Sequence, residues 1–400
     1  MDFSRLPVDE KHQQLVADVR SFLAEHVTDE VREEVRRTGE WCNVEVHLAL
    51  GARGWIMPMW SKERGGAGLD ATGARILELE LARGEAPVGT LTTRTVAPAV
   101  ERFAVPDLAA EILPKVADGS VRFCLGYTEP QGGSDIASAR IRASRDGEDH
   151  WIISGTKVFT SSAQVSQYVF LLSRTDPAQP KHKGLTMFLV PLDTPGIEIQ
   201  PIHTYGGRRT NTVYYSDVRI SDRYRLGEVN AGWSVLRGPL DEEHSVGEHG
   251  KDLTLEDSSA SVWFVRALGR ALEASIDWAC RSILPEGGRP IDDPIIRYRL
   301  GQIAIDIEGA FVTPGPMGRV RCSDVLTHGA AELMDLVGPG SVLAQSTPDA
   351  LVDGVVEYTH RLAQGSGTQG GTVEVFRTMI ASQILGLPRA KYPGSRNLVT

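Results

Sequence analysis

The residues best suited to chemistry in this chain lie in three glycine-containing segments and one acidic run. The first segment, residues 127–135 (YTEPQGGSD), follows a β-type run and combines a Pro-Gln-Gly-Gly loop with small hydroxyl side chains. Glycines let a ligand approach the backbone closely, and the exposed N–H groups of such a loop bind flat or anionic molecules. We interpret this segment as a candidate ligand-binding loop, with an ordinary surface turn as the alternative.

Two further segments share this character. Residues 153–162 (ISGTKVFTSS) place an aromatic ring and two hydroxyls at the end of a strand, and residues 370–377 (GGTVEVFR) open a helix with a Gly-Gly-Thr turn. Taken singly, each segment is more typical of a surface loop than of a site. The acidic run of Asp241, Glu242 and Glu243, taken by itself, indicates the solvated face of a helix.

Other kinds of site find little support in the chain. No GxGxxG follows a strand, and neither a phosphate-binding P-loop nor a GxSxG elbow occurs, which disfavours a Rossmann hydride-transfer enzyme and a serine hydrolase. The four cysteines and ten histidines form no metal-binding spacing, so we expect reduced thiols and no metal. The net charge of -10 argues against nucleic acid as a partner.

The sequence also gives expectations about the membrane and the compartment. It holds no run of apolar residues long enough to span a bilayer, so no membrane span is expected. Its first residues are charged and lack the apolar core of a signal peptide, so we predict a cytoplasmic protein.

The periodicity of apolar residues predicts helices, then strands, then helices. Helical spacing marks the first third and returns after residue 230, where Ile296, Leu300, Ile303 and Ile307 form one stripe. Between these regions, short β-type runs alternate with turn signals. The helices are predicted at residues 9–26, 44–54, 72–83, 107–117, 324–336, 349–362 and 372–385, and the strands at 151–158, 168–174, 185–190, 197–202 and 213–218. The pattern predicts an α+β fold with a helical domain at 1–120, a β domain at 121–230 and a helical domain at 231–400.

Together and in this order, the segments resemble signatures of the acyl-CoA dehydrogenase family. The matching features are the TEP-x-x-GSD loop, the SGTK-x-F-x-S strand, the late GGT-x-E-x-x-R and the LGLPR at residues 385–389. The resemblance implies an all-α N-terminal domain, a middle β-barrel or sandwich and a C-terminal four-helix bundle. It also implies FAD-dependent desaturation of an acyl-CoA thioester at its α,β carbons, as in β-oxidation of fatty acids or steroid side chains.

The resemblance assigns cofactor and substrate contacts by position. In this family the flavin lies between the β domain and the C-terminal helices. The positions implied to contact FAD are Leu125, Tyr127, Thr128, Phe159, Ser161, Thr372 and Glu374. Among them, Phe159 matches the aromatic residue that packs on the flavin, and Ser161 matches the hydroxyl near its N5. Ser134 is implied to lie nearer the substrate.

The family's catalytic base is a glutamate that occupies one of two places. In most members it directly precedes the Gly-Thr of the late motif, but Gly370 stands there in this chain. In the isovaleryl- and long-chain-type branches it lies on the first helix of the C-terminal domain, and residues 238–245 match that helix with Glu243 at the catalytic position. Glu242 and Glu248 are the alternatives. Gly370 retains the backbone N–H that this family directs, with a ribityl hydroxyl of FAD, at the thioester oxygen.

Departures from the family pattern bear on the partners. Residues 281–290 lack the Phe-Gly that often helps to bind FAD across a subunit interface, and Leu-Val-Gly-Pro-Gly at 336–340 replaces a Phe-Gly-Gly. His244 stands where an arginine often follows the base. These changes resemble bacterial α2β2 members, so we expect a homotetramer or an α2β2 heterotetramer with a second acyl-CoA dehydrogenase-like subunit. The resemblance implies an electron-transfer flavoprotein as electron acceptor. A flavin oxidase or monooxygenase and a non-catalytic subunit remain the alternative functions.

Overall fold

The computed structural model describes residues 9–243, 262–285, 287–311, 313, 315–345 and 347–388. The described residues belong to two compact units, Met1–Glu243 and His244–Thr400. The first unit is helical and then β, and the second is helical. This mixture of helices and strands agrees with the predicted α+β class. The three-domain division at residues 120 and 230 stays a prediction.

Six helices open the first unit, and polar side chains define where several of them begin. Asp9, Thr28, Asn43 and Asp70 each accept a hydrogen bond from a backbone N–H in the first turn of the helix that follows. The helices are α1 (Glu10–His26), α2 (Asp29–Thr38), α3 (Val44–Ala52), α4 (Ala71–Arg83), α5 (Thr90–Phe103) and α6 (Pro106–Ala117).

Four of these helices match predicted ones, whereas α2 and α5 were not predicted. Helix α2 buries none of its residues completely, and only Val31 and Val35 give it an apolar side, which is too short a stripe to predict a helix. Helix α5 is rich in threonine and contains Pro98, which are poor helix formers, yet it buries Val96 and Val100 completely. Tertiary burial therefore outweighs intrinsic propensity in α5.

An eight-stranded sheet follows the six helices. Its strands are β1 (Phe123–Gly126), β2 (Arg142–Asp146), β3 (His150–Lys157), β4 (Tyr168–Arg174), β5 (Leu185–Pro191), β6 (Ile197–His203), β7 (Arg209–Ser221) and β8 (Arg225–Leu226). The order across the sheet is β6-β7-β3-β2-β4-β5-β8, with β1 parallel to β4. The five predicted strands correspond to β3 to β7, while β7 begins four residues before its predicted start because it pairs along its length with β6 and β3.

Strand β4 is buried on both sides of the sheet. Phe170 and Leu172 belong to the cluster that also contains the apolar residues of the N-terminal helices, whereas Val169 and Leu171 pack with Trp151 in a second cluster. A strand buried on both faces reads as a continuous apolar run, as this one does. The core of the first unit therefore lies on either side of β4.

The last helix of the first unit is α7 (Gly232–Glu243). It packs against α5 and β5, and its Val235 and Leu236 are buried in the same cluster as the N-terminal helices. The packing fixes the direction of the helix at whose end Glu243 stands.

The second unit is built around one long central helix. Helix α10 (Gly315–Val337) contacts α8 (Val262–Arg281), α9 (Pro294–Phe311), α11 (Val355–Ser366) and α12 (Val373–Met379). A π-helical turn (Ile380–Ile384) continues α12. Helix α10 begins nine residues before its predicted start, since its first turns are buried by neighbouring helices rather than marked by an apolar stripe. None of the helices that the structure describes is both long and apolar enough to cross a membrane.

Candidate functional site

Two of the glycine-containing segments lie side by side in the first unit. The backbone N–H of Val158 donates to the carbonyl oxygen of Thr128 over 3.0 Å, and Lys157 Nζ donates to the carbonyl oxygen of Tyr127 over 2.9 Å. The end of β3 is thereby joined to the loop that leaves β1. Leu125, Tyr127 and Thr128 are partly exposed at this junction.

A buried ion pair underlies the junction. Lys157 Nζ lies 2.9 Å from a carboxylate oxygen of Glu129, and the side chains are 0% and 4% exposed. The same carboxylate accepts the backbone N–H groups of Arg140 (2.8 Å) and Ile141 (3.0 Å). Burial opposes ionisation of Glu129, but the charge of Lys157 and the N–H donors outweigh it and hold the pKa of Glu129 below its ordinary value. Burial lowers the pKa of Lys157.

A second set of contacts holds the far side of the loop at residues 127–135. The guanidinium of Arg174 donates to the carbonyl oxygens of Ala137 (2.7 Å) and Ala139 (3.2 Å). Lys181 forms an exposed ion pair with Asp135 at 2.6 Å. The loop is thus fixed at both ends, while Ser134 near its tip remains exposed.

The segment after β3 holds an exposed aromatic ring on a strained backbone. Phe159 has a φ of 58° and Ser162 a φ of 62°, both in the left-handed region that residues with a β carbon rarely adopt. The Phe159 side chain is 62% exposed. Such strain persists only where the surroundings impose it, and it concentrates at functional sites.

Neighbouring strand β7 imposes this conformation. Asn211 donates to the carbonyl oxygen of Thr160 (2.9 Å), and its own carbonyl accepts the Thr160 N–H (3.0 Å). The Ser161 hydroxyl donates to Thr210 Oγ1 over 3.1 Å. Ser161 is therefore oriented by a side chain of β7, and an exposed ring and an oriented hydroxyl stand two residues apart.

The third glycine-containing segment lies in the second unit. Gly370 and Gly371 have φ values of 60° and 96°, so two successive left-handed residues reverse the chain before α12. The Thr372 hydroxyl accepts the Val375 N–H over 3.3 Å and caps α12. Glu374 follows in the first helical turn and is exposed.

Glu243 is the last residue of α7. Its side chain and that of Glu242 lie outside the described part of the chain, as do His244 and Glu248. The role of Glu243 as base therefore stays a prediction. The structure brings the segments of Tyr127 and Phe159 together in the first unit and places the remaining predicted residues, Gly370, Thr372 and Glu374, in one turn of the second.

Sequence reasoning missed the residues that hold these loops. Glu129 and Lys157 lie inside the motif segments, but the motif pattern gives them no role, and no pattern in the sequence indicates Arg174 or Asn211. The alternation of residues along β3 could have indicated Lys157, because it follows Trp151 and Ile153 at even spacing on the same side of the strand. The structure buries it as fully as those two residues. A lysine at such a position needs a buried partner.

The donor set of these segments suits a flat organic cofactor. A solvent-facing aromatic ring offers a stacking surface, and the adjacent hydroxyl and loop N–H groups offer hydrogen bonds to ring heteroatoms. Across the described residues, no three His, Cys, Asp or Glu side chains are grouped so that they could hold a metal ion.

Comparison with known proteins gives consistent results. Residues 9–120 match the model of the acyl-CoA dehydrogenase N-terminal domain, and residues 124–218 match that of the middle domain. The chain is 32% identical to acyl-CoA dehydrogenase FadE26 of Mycobacterium tuberculosis, over 96% of this chain and 99% of the relative. The ChsE4-ChsE5 complex of M. tuberculosis aligns with a TM-score of 0.81 and 31% identity, over 97% of this chain and 100% of the solved one. The Tcur3481-Tcur3483 steroid ACAD aligns with a TM-score of 0.83 and 28% identity over the same shares.

Proposed function

Because the chain belongs to the acyl-CoA dehydrogenase family, we propose that it is an FAD-dependent dehydrogenase that forms a double bond between the α and β carbons of an acyl-CoA thioester. The observation that carries the proposal is the exposed, strained turn at Phe159, held beside the Pro-Gln-Gly-Gly loop by the buried pair of Glu129 and Lys157. Stacking and hydrogen-bonding groups are thus fixed before any ligand arrives, which lowers the entropic cost of binding.

The chain's own residues divide the work of holding the cofactor. Leu125, Tyr127 and Thr128 would offer backbone and side-chain contacts to the ring system, Phe159 would stack on it, and the Ser161 hydroxyl, which Thr210 orients, would lie beside it. Thr372 and Glu374 would add contacts from the start of α12. Bound FAD would supply the electron acceptor that takes the hydride from the β carbon.

The proton chemistry falls to Glu243 and Gly370. A carboxylate at position 243 would take the α proton, and the Gly370 N–H would donate to the thioester oxygen, where negative charge develops. Positions 236, 240 and 243 follow helical spacing, so position 243 shares the side of α7 that carries Leu236 and Leu240. Position 242 lies about 100° away around the helix, which makes it a matched control.

Replacement of Glu243 by glutamine tests the assignment of the base. The full chain, purified with its flavin, is mixed anaerobically with a panel of acyl-CoA thioesters, and loss of the oxidised flavin absorbance is followed. We expect Glu243→Gln to slow this bleaching by about 10²–10⁴-fold, the usual contribution of a general base. The flavin content should not change.

The control is Glu242→Gln, which should bleach at the wild-type rate. Loss of activity in Glu242→Gln with retention in Glu243→Gln would move the base to the neighbouring position. Full activity in both variants would remove the acidic run from the mechanism. The same assay in air would reveal an oxidase, since the reduced flavin would be reoxidised rapidly without an electron-transfer flavoprotein.

We further propose that the protein works in a heteromeric complex on bulky thioesters. Two of the solved relatives carry paired subunit names, and one of them is named a steroid ACAD. In the second unit, Ile295, Tyr298 and Ile305 form one side of α9 and are 65%, 71% and 67% exposed. An apolar stripe of this kind is typical of an interaction surface.

Co-expression with the neighbouring gene tests the assembly. Mass measurement of the purified complex should give two kinds of chain, and steroid-bearing thioesters should reduce the flavin more readily than straight-chain ones. Tyr298→Glu should weaken the assembly, whereas Arg297→Glu, at an exposed position on a different side of α9, should not. A fully flavinated homotetramer from this chain alone would overturn the heteromeric proposal.

A further inference from the structure

A buried arginine holds the glycine turn before α12. The Arg319 side chain projects from α10 and is only 4% exposed. Its Nη2 lies 2.7 Å from the carbonyl oxygens of Ser366 and Gln369 and 3.1 Å from that of Gly371, so its two N–H bonds are shared among three acceptors. Its Nη1 donates to the Ser323 hydroxyl, which in turn donates to the Ser366 carbonyl over 2.9 Å.

The guanidinium lies between aromatic rings rather than beside a carboxylate. Its central carbon is 5.7 Å from the ring centre of Phe264 and 5.4 Å from that of Phe376. In the described part of the second unit, no acidic side chain forms an ion pair with it. Keeping a cation buried without an anion costs free energy, although the backbone carbonyls and the two ring faces offset part of that cost.

The bonded carbonyls determine where the Gly370 N–H points. The Gln369–Gly370 peptide bond is trans, so its C=O and N–H groups point in opposite directions. Because Arg319 binds the Gln369 oxygen, the Gly370 N–H must point away from the guanidinium. The contact with the Gly371 oxygen fixes the Gly371–Thr372 peptide plane, so the planes before and after the Gly370–Gly371 peptide are both held by Arg319.

The positive charge also affects the strength of this donor. A cation on a peptide oxygen draws electron density from the amide and makes its N–H a better hydrogen-bond donor, since hydrogen bonds in a chain polarise one another. The effect is largest where the accepting oxygen carries developing negative charge.

From this arrangement we infer that Arg319 is the positioning residue of the oxyanion donor: it aims and polarises the Gly370 N–H toward the thioester oxygen. The inference rests on the proposed function and deepens it, because it assigns the control of enolate formation to a residue that touches neither substrate nor cofactor. Arg319 acts on the α-proton step and not on binding of the thioester in its ground state.

The test measures α-proton removal separately from hydride transfer. A CoA thioester of the skeleton that bleaches the wild-type flavin, but with a fully substituted β carbon, has no β hydrogen to lose. Exchange of its α protons with D2O, followed by NMR, then reports enolate formation alone. The dissociation constant of the same thioester is measured by calorimetry, and folding is checked by urea denaturation.

Three variants of the flavin-loaded chain are compared with the wild type. Arg319→Met removes the charge and the donors at similar length, and we expect α-proton exchange to slow by about 10–100-fold, somewhat less than the loss of a whole oxyanion donor. The dissociation constant should change by less than about threefold. Arg319→Lys keeps the charge with fewer directed donors and should recover part of the rate. Arg321→Met, which removes an exposed arginine of the same helix paired with Asp306, should match the wild type.

The outcomes separate the inference from the function on which it rests. If the wild type and Arg319→Met exchange α protons equally fast, the inferred role of Arg319 is wrong, but the proposed dehydrogenase function is unaffected. A wild-type flavin that no thioester of the panel bleaches overturns the dehydrogenase proposal and the inference with it, whereas bleaching without α-proton exchange in the wild type overturns the inference alone. If Arg319→Met does not fold, Arg319→Gln decides, because it keeps a donor but removes the charge, and a wild-type exchange rate in that variant also overturns the inference. Weaker thioester binding without slower exchange would reduce Arg319 to a structural role.

Discussion

Replacement of Lys157 by methionine tests how strongly the buried pair holds the candidate site. Methionine keeps most of the length of the side chain but leaves the Glu129 carboxylate without its cation and the Tyr127 carbonyl without its donor. The substitution therefore isolates the charge and its hydrogen bonds. We expect both the stability of the chain and its affinity for flavin to fall.

The size of the expected stability loss follows from the interactions that the remaining groups lose. Removing one partner of a buried ion pair typically costs about 3–5 kcal/mol, since the remaining charge stays buried. Glu129 keeps the backbone N–H groups of Arg140 and Ile141 and the side-chain amide of Gln131. These donors place Lys157→Met in the lower part of that range, at about 3 kcal/mol.

Urea denaturation of the flavin-saturated chain at a fixed protein concentration measures this loss, and the double variant with Glu129→Gln measures the coupling. We expect the double variant to be more stable than the sum of the single effects implies, by about 1–3 kcal/mol. The control is Lys181→Met, which breaks the exposed ion pair with Asp135 in the same loop and should cost less than about 1 kcal/mol.

Two results would refute the reasoning. One is a Lys157→Met variant no less stable than Lys181→Met, because the buried and exposed pairs would then be equivalent. The other is strict additivity in the double variant, because the two side chains would then contribute independently of each other.

The remaining predictions concern the turn at Phe159 and a buried histidine. Phe159→Gly should leave the flavin-free chain as stable as the wild type or up to about 1 kcal/mol more stable, because it relieves the left-handed backbone. The dissociation constant for FAD, measured in a flavin titration, should rise about tenfold, and an unchanged constant would contradict stacking on this ring. His47 is fully buried, and burial lowers its pKa from 6.5 to about 4, so between these values the unfolded chain binds the proton that the folded chain refuses. Proton uptake by His47 on unfolding should therefore lower the free energy of unfolding by about 3 kcal/mol from pH 7 to pH 4. In urea titrations His47→Leu should remove that part of the pH dependence, whereas the control His203→Leu, at an exposed position, should not.

The sequence alone determined much of the architecture. The continuous apolar run of β4 was predicted with its observed bounds, because a strand buried on both faces leaves a pattern that needs no partner to be recognised. The motif segments also predicted the family, which the comparisons confirm. These features are local, because each is visible in consecutive residues or in the short-range spacing of apolar residues.

Only the tertiary structure decided which distant residues serve the site. Lys157 and Glu129 are 28 residues apart, and Arg319 and Gln369 are 50 apart, yet each pair meets in the interior. The same holds for α5, whose threonines and proline argue against a helix until burial between other elements is known. A charged side chain can be buried only where the fold supplies its partners. Which residues become partners depends on the removal of water from the whole core, not from one segment. Local residue patterns do not contain this contribution of the whole core. They therefore predict the loops of the site but not the side chains that hold those loops.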